Sequence, residues 1–145
     1  MSRFTEQQRA FLDQQRVGRF ATAGADGQPH VIPVCYACED AAVYIALDAK
    51  PKRVAPQQLK RVRNMLENPR VALVVDRYSD DWSELAYVLI RGTAALIPPK
   101  DAVHAHAVAL LRQRYMQYRA MPIHEQPVIM IAPQAVVAWG AVETL

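Results

Sequence analysis

The run from Glu84 to Ile97 constrains this chain more than any other stretch. It is long and apolar, a polar loop precedes it and Pro98-Pro99 follows it, so it reads as one extended strand that the prolines stop. Arg91-Gly92 stands in its middle. A glycine inside a strand marks a bulge or a corner, where the backbone bends or approaches a neighbour too closely for a side chain. Long strands with glycine corners belong to a curved antiparallel sheet that closes into a small barrel.

The remaining elements fit that sheet. Thr5 to Gln15 reads as a first helix, with Thr5 and Gln8 spaced as a capping box and Ala10, Phe11 and Gln14 on its inward face. Arg16 to Ala23 is a strand, G-A-D-G at Gly24–Gly27 a turn with two positions open to positive φ, and Gln28 to Cys38 a second strand. In the second strand His30, Ile32, Val34 and Tyr36 share one face, and Val31, Pro33, Cys35 and Ala37 the other. Pro33 cannot donate to a ladder, so this strand is an edge or is interrupted there. An interrupted edge leaves backbone groups for a ligand, while an edge proline also guards against aggregation; both readings stand. Ala41 to Leu47, Arg70 to Arg77 and Pro127 to Trp139, bent near Pro133, supply further strands. Arg70 to Arg77 is too uniformly apolar to face water on either side. Lys100 to Tyr118 is a helix with Val103, Ala107, Leu110, Leu111, Tyr115 and Tyr118 on its core face. The expectation is a single domain over 1–145, mainly β with flanking helices, built from about six strands in sequential hairpins.

Composition excludes several classes. Hydrophobic content of 52% against 21% charged residues indicates a folded core, not a disordered chain. No apolar run reaches the ~20 residues a membrane-spanning helix needs, and M-S-R-F-T-E-Q-Q-R lacks the apolar centre of a signal peptide. The expected location is therefore the cytoplasm. Cys35 and Cys38 have no second Cys or His pair with zinc-ligand spacing, and they lie in a strand, not at a helix start where a redox thiol is activated. They read as reduced structural cysteines. No G-x-S-x-G, H-E-x-x-H, P-loop or G-x-G-x-x-G is present. His104 and His106 are two apart on a helix and do not share a face, His30 and His124 are isolated, and Asp80, Asp81 and Glu84 form a solvated turn. No catalytic acid, base, nucleophile or metal ligand emerges. A pocket without such machinery suits a cofactor that does the chemistry itself.

The segment Lys50 to Arg63, K-P-K-R-V-A-P-Q-Q-L-K-R-V-R, is where such a cofactor would sit. It holds six cations, while the whole chain carries +3, so the remainder is net negative. A local cluster on a near-neutral chain suits one anionic ligand better than a polyanion, and a solvated helix face is the plain alternative. Pro56 to Glu67 reads as a helix with an apolar stripe at Leu59, Val62 and Leu66 and Met65 beside it. Pro56 fits the first helical position, and Arg53-Val54-Ala55 offers no capping side chain. A phosphate would satisfy the free N–H groups and the helix dipole. Aromatics do not interleave the cations, which argues against nucleic acid.

Four segments in order then resemble a known family. They are H-V-I-P-V-C (His30–Cys35), D-A-K-P-K-R (Asp48–Arg53), the basic helix from Lys60-Arg61 ending in N-P-R-V (Asn68–Val71), and D-D-W-S (Asp80–Ser83). The chain resembles the pyridoxamine 5′-phosphate oxidase-like (PPOX class) split β-barrels, and within them the small oxidoreductases that use the deazaflavin coenzyme F-420. The resemblance implies a six-stranded antiparallel split β-barrel and a homodimer with cofactor sites at its interface. It implies a ring system along the backbone of Val31, Ile32, Pro33 and Val34, and a phosphate among Lys52, Arg53, Lys60 and Arg61. Lys50 and Arg63 are tail contacts or solvent-facing charges. Trp82 either borders the substrate pocket or is a plain loop residue. Ile45 and Ala46 occupy the region where the family often has a hydroxyl, and the chain ends soon after its last strand, which argues against pyridoxamine phosphate oxidation itself. Six cations exceed what the FMN phosphate needs and suit the phosphodiester and carboxylates of F-420 better. The expected activity is hydride transfer to a small unsaturated or aromatic substrate. FMN in the same fold is the alternative, as is a protein that only binds a flavin, haem or anionic metabolite.

Overall fold

The structure is a computed structural model, and it describes residues 2–47 and 59–142. Three helices, α1 (Glu6–Gln14), α2 (Lys60–Glu67) and α3 (Ala102–Arg114), flank seven strands: β1 (Gly18–Ala23), β2 (Pro29–Val34), β3 (Ala37–Glu39), β4 (Ala42–Ala46), β5 (Arg70–Arg77), β6 (Ala86–Ile97) and β7 (Val128–Gly140). The strands form one antiparallel sheet in the order β2-β1-β5-β6-β7-β4-β3.

The expected six strands are seven because the second one breaks. β2 stops at Val34 and β3 starts at Ala37, and the two occupy opposite edges of the sheet. Only Cys35 and Tyr36 lie between them, so the edges approach within about 11 Å at that point. The sheet therefore curls so that its edges approach at this one point, but no ladder joins β2 to β3, so the barrel expected to close is an open, curled sheet whose gap the chain itself crosses. Val34 and Cys38, one from each edge strand, share the same buried core.

Tertiary contacts fix the break. The Tyr115 phenol accepts from the Tyr36 N–H at 3.1 Å and reaches the Tyr36 and Arg16 carbonyls at 3.0 and 2.9 Å. Arg114 donates to the Tyr36 carbonyl at 2.8 Å and to the carbonyls of Leu12, Asp13 and Gln15, the end of α1. The guanidinium lies over the rings of Tyr36 and Tyr115. One arginine thus closes the C-terminus of α1 and pins the crossover, each contact being a charge-assisted bond. The Tyr36 phenol donates to the Leu12 carbonyl at 2.5 Å, and burial pushes its pKa far above the ordinary phenol range.

The long strand bends where its glycine stands. The β6–β7 register shifts between Arg91, opposite Ala135, and Gly92, opposite Pro133, so Gln134 is the extra residue of a bulge. A Cβ on Gly92 would lie 2.9 Å from the Ala132 carbonyl carbon, so only glycine fits there. The G-A-D-G turn behaves differently from expectation at one end. Gly27 takes φ +77°, but Gly24 does not; a Cβ on Gly24 would instead press on Glu67 Oε1 and Asn64 Oδ1 of α2, at 2.7 and 2.9 Å.

The inner face of the curled sheet holds the main core, including Phe20, Leu73, Val88, Ile90 and Ile131, with Phe11 and Leu12 of α1 packed into it. Leu12, not Ala10 or Gln14, joins Phe11 on the buried face of α1, while the Thr5–Gln8 capping box forms as read. A second core lies between α3 and the outer face of β3, β4 and the start of β7. The buried side of α3 is His104, Ala107, Val108 and Leu111, with Val103 exposed. His104 is buried because its ring nitrogen bonds the Gln126 carbonyl at 2.6 Å. α3 ends at Arg114, and Met116–Arg119 continues as a short 3₁₀ turn.

The outer face of β2, β1, β5, β6 and the second half of β7 is covered by no described element. Its residues are mostly apolar: Val31, Ala21, Ala72, Val74, Leu89 and Val137, joined by Trp139 stacked on Tyr87 at 5.7 Å. β5 accordingly buries one face and half-exposes the other, where the sequence suggested two covered faces. Among the described residues no helix is long and apolar enough to cross a membrane.

Candidate functional site

α2 is built differently from the sequence expectation at its start. Leu59 is extended, with φ −64° and ψ 137°, and serves as the N-cap, so the helix begins at Lys60. Pro56 is outside the described residues and precedes this break, so it does not open α2. Lys60 and Arg61 therefore stand in the first turn, not the second. This start has no side-chain cap, Leu59 being the residue that lacks an acceptor, and no acidic residue occupies the first turn; the uncapped start expected at Arg53-Val54-Ala55 lies outside the described residues. The first N–H groups of a helix point out of its start without intrahelical acceptors. Their partial positive charge adds to Lys60, exposed, and Arg61, half-buried. Lys50, Lys52 and Arg53 lie outside the described residues.

The buried face of α2 also differs. Val62, Asn64 and Met65 are buried with Leu59 packed beside them, whereas Leu66 is 57% exposed. Asn64 is the unexpected member. Its amide donates to the Thr22 hydroxyl of β1 at 3.0 Å, both residues being buried. Glu67 at the other end accepts from the Ala25 N–H of the β1–β2 turn at 2.8 Å. These two bonds and the close approach at Gly24 fix α2 against the hairpin. Thr22 pairs with His30 across the ladder, so the helix is tied through β1 to β2.

β2 is the edge strand that Pro33 suggested, although its pairing continues unbroken through Pro33 opposite Arg19. Val31 is 62% exposed and Pro33 exposed, Ile32 half-buried, and Val34 buried in the core. The two sheet edges are treated in opposite ways. At the β3 edge, the Arg9 guanidinium donates to the Cys38 carbonyl at 2.7 Å, and the Arg3 N–H to the Asp40 carbonyl at 2.7 Å. Among the described residues the outer edge of β2 has no strand beside it. An open edge presents backbone donors and acceptors to whatever lies alongside.

Trp82 begins a 3₁₀ turn, Trp82–Glu84, and is 73% exposed. That turn follows the Arg77 end of β5, whereas α2 leads into the Arg70 end. Trp82 thus stands beyond the far end of β5 from the C-terminus of α2. The two cysteines are free; burial, with the Asp13 charge, pushes the Cys38 thiol up to about 12, so it stays protonated and inert. Among the described residues no three His, Cys, Asp or Glu side chains group to hold a metal.

Sequence reading missed one titratable group. Glu39 of β3 accepts from the Tyr44 phenol on one oxygen and faces His106 Nε2 at 2.6 Å on the other. Burial alone would raise this carboxyl, but the hydrogen bonds from Tyr44 and His106 outweigh it and hold the pKa below the ordinary glutamate value. Glu39 and Tyr44 meet within the β3–β4 hairpin, five residues apart, but no local sequence signal adds His106, because α3 reaches them only by packing.

Comparison with known proteins follows this geometry. The profile described as pyridoxamine 5′-phosphate oxidase matches residues 4–140. A curated relative, the 5a,11a-dehydrotetracycline/5a,11a-dehydrooxytetracycline reductase of Streptomyces rimosus, is 30% identical over 138 residues, covering 94% of this chain and 83% of that protein. Among solved structures, the conserved hypothetical protein Rv2991 of Mycobacterium tuberculosis superposes with a TM-score of 0.75 at 20% identity, covering 98% of this chain and 89% of the other. A FAD-binding protein of Mesorhizobium loti superposes at 0.67 and 24% identity, covering 93% and 94%. The match over nearly the whole chain, the uncapped basic helix and the curled sheet with its split edge lead to one conclusion: this chain belongs to the pyridoxamine 5′-phosphate oxidase family.

Proposed function

We propose that the protein is a homodimeric oxidoreductase that binds the deazaflavin coenzyme F-420 and reduces a conjugated double bond in a planar, unsaturated substrate. The observation that carries this reading is the pairing of an apolar-capped, cation-bearing helix start with an open sheet edge. α2 meets an anion with N–H groups, Lys60 and Arg61, and no competing acid in the first turn. β2 offers an unpaired edge beside which a flat ring can lie. The residues therefore fit an anionic cofactor with a planar ring. When bound, that cofactor supplies the hydride. The chain binds and orients: Lys60 and Arg61, with Lys52 and Arg53, hold the phosphate, the backbone of Val31 to Val34 aligns the ring, and Lys50 serves the tail. Trp82 reaches a substrate pocket only through a second copy, since in its own chain it stands at the far end of β5.

The S. rimosus relative supports the reaction type, because a 5a,11a-dehydro compound bears a ring double bond that a reductase saturates. The dimer is supported by the uncovered apolar outer face, which in a lone chain would leave Val31, Val137 and Trp139 in water.

The deciding test is an absorbance titration with F-420 and, separately, with FMN. Saturable binding of F-420 and turnover of its reduced form with a polycyclic enone are expected. Saturation by FMN with no binding of F-420 would overturn the cofactor assignment. Charge reversal at Lys60 and Arg61 should weaken binding in a salt-sensitive manner by about tenfold or more each.

A further inference from the structure

The uncovered outer face contains two arginines that the functional reading does not use. Arg91 of β6 stands directly opposite Ala72 on β5 and Ala135 on β7. Arg70 of β5 pairs with Thr93, which places it diagonally beside Arg91 on the same face, at the diagonal-neighbour spacing of about 7–8 Å. Both side chains are exposed, and no hydrogen bond or ion pair holds either guanidinium among the described residues. Alanines floor the space around them: Ala21 pairs with Ala72, and Ala72 with Arg91. Larger side chains wall it, with Val31 towards the β2 edge and Val74 and Leu89 along the strands. A shallow basin with two unpaired cations side by side results.

Two like charges next to each other on an apolar face are destabilising unless an anion joins them. Among the described residues the face supplies none: its other charges are Arg19 and Asp76, which already pair at 2.7 Å. A second copy laid on this face brings the same set, three arginines and one aspartate, so self-association adds cations faster than anions. The missing charge therefore comes from something other than this face.

We propose that Arg70 and Arg91 form an anion-binding subsite on the outer face of the sheet, which takes a carboxylate or phosphate group of a small molecule. The fork geometry of guanidinium matches both, and the alanine floor lets a flat group lie against the strands between them. Two sources share this chemistry, the acidic tail of the cofactor and an acidic group of the substrate. The link to either rests on the functional reading above; the subsite itself does not.

The test begins without any cofactor. The whole chain is titrated with inorganic phosphate and with glutarate while the arginine Nε–Hε NMR signals are followed. Saturable shifts of the Arg70 and Arg91 signals are expected, with midpoints weakened about tenfold in Arg91→Gln and shifts abolished in Arg70→Gln/Arg91→Gln. Both side chains lie outside the chain's own core, and an otherwise unchanged spectrum reports that the fold survives. Shifts that stay linear and are shared by Arg3 would mean ionic strength alone, and the proposal falls. It falls also if the double variant only alters the dimer dissociation constant in sedimentation and keeps the anion shifts. A second arm compares F-420 with its tail-less deazaflavin nucleoside. Tenfold loss for F-420 alone in Arg91→Gln assigns the subsite to the tail; unchanged affinity for both, with anion shifts lost, assigns it to the substrate.

Discussion

Glu39 ties an edge strand to a helix through one carboxylate. Its two oxygens serve the Tyr44 phenol and His106, and the Arg9 guanidinium lies close enough to favour the charged form as well. Because its folded pKa is below the ordinary value of 4.5, its contribution is fully present above that value and is lost as pH falls through the lower folded one. Glu39→Gln should flatten the acid side of a plot of urea midpoint against pH while leaving the fold intact at neutral pH. Parallel profiles for the two proteins would show that the contact adds no pH-dependent stability. The same phenol explains the direction at Tyr44, which burial and the Glu39 charge push above the usual phenol range. The Tyr44 contact is local to the β3–β4 hairpin, but the His106 contact is not: Glu39 and His106 are 67 residues apart.

At the scale of elements, α2 is oriented by polar contacts as much as by its apolar face. Asn64 and Thr22 are buried partners, and removal of one leaves the other without its bond. Thr22→Val and Asn64→Leu should each cost about 1–3 kcal/mol, whereas the double variant should cost less than the sum, because no lone buried polar group remains. Urea denaturation of the four proteins measures this; strict additivity would mean that the bond contributes nothing. Loss of Asn64 should also loosen the helix whose first turn holds Lys60 and Arg61, so cofactor affinity is expected to fall in Asn64→Leu even though its side chain touches no ligand. Leu66, read as part of the inward stripe, is exposed for the same reason. Asn64 takes a buried place, and that choice rotates Leu66 outward.

The whole molecule is a curled sheet with α3 on one part of its outside, α1 and α2 packed into its inner core, and an apolar outer face left over. Val137 lies within that face, opposite Leu89 and 44% exposed. Val137→Asp should convert a dimer into folded monomers, as read by sedimentation velocity with an unchanged far-ultraviolet spectrum. A wild-type protein that sediments as a monomer, or a variant that still dimerises, would refute the proposed assembly. The open β2 edge belongs to this scale too. Arg3 and Arg9 hydrogen-bond carbonyls at the β3 rim of the sheet, whereas no described strand pairs with the β2 rim.

Period, punctuation and charge were legible along the chain. The β5 bounds at Arg70 and Arg77, the bulge at Arg91-Gly92, the Thr5–Gln8 capping box and the end of the basic helix at Glu67 all follow from residues close in sequence, because ladders, caps and turns are local in cause. The break of the second strand was not legible. Residues 28–38 alternate cleanly, and the interruption at Cys35–Tyr36 is made by Arg114 and Tyr115, whose contacts with Tyr36 span 78 and 79 residues. The diagonal placement of Arg70 beside Arg91, the burial of Asn64 and the meeting of Glu39 with His106 depend likewise on register and packing. Local sequence determined which pieces form and where cations gather; only the tertiary structure decided which edge stays open and which charges are left without partners, since both depend on how distant segments fill the same space.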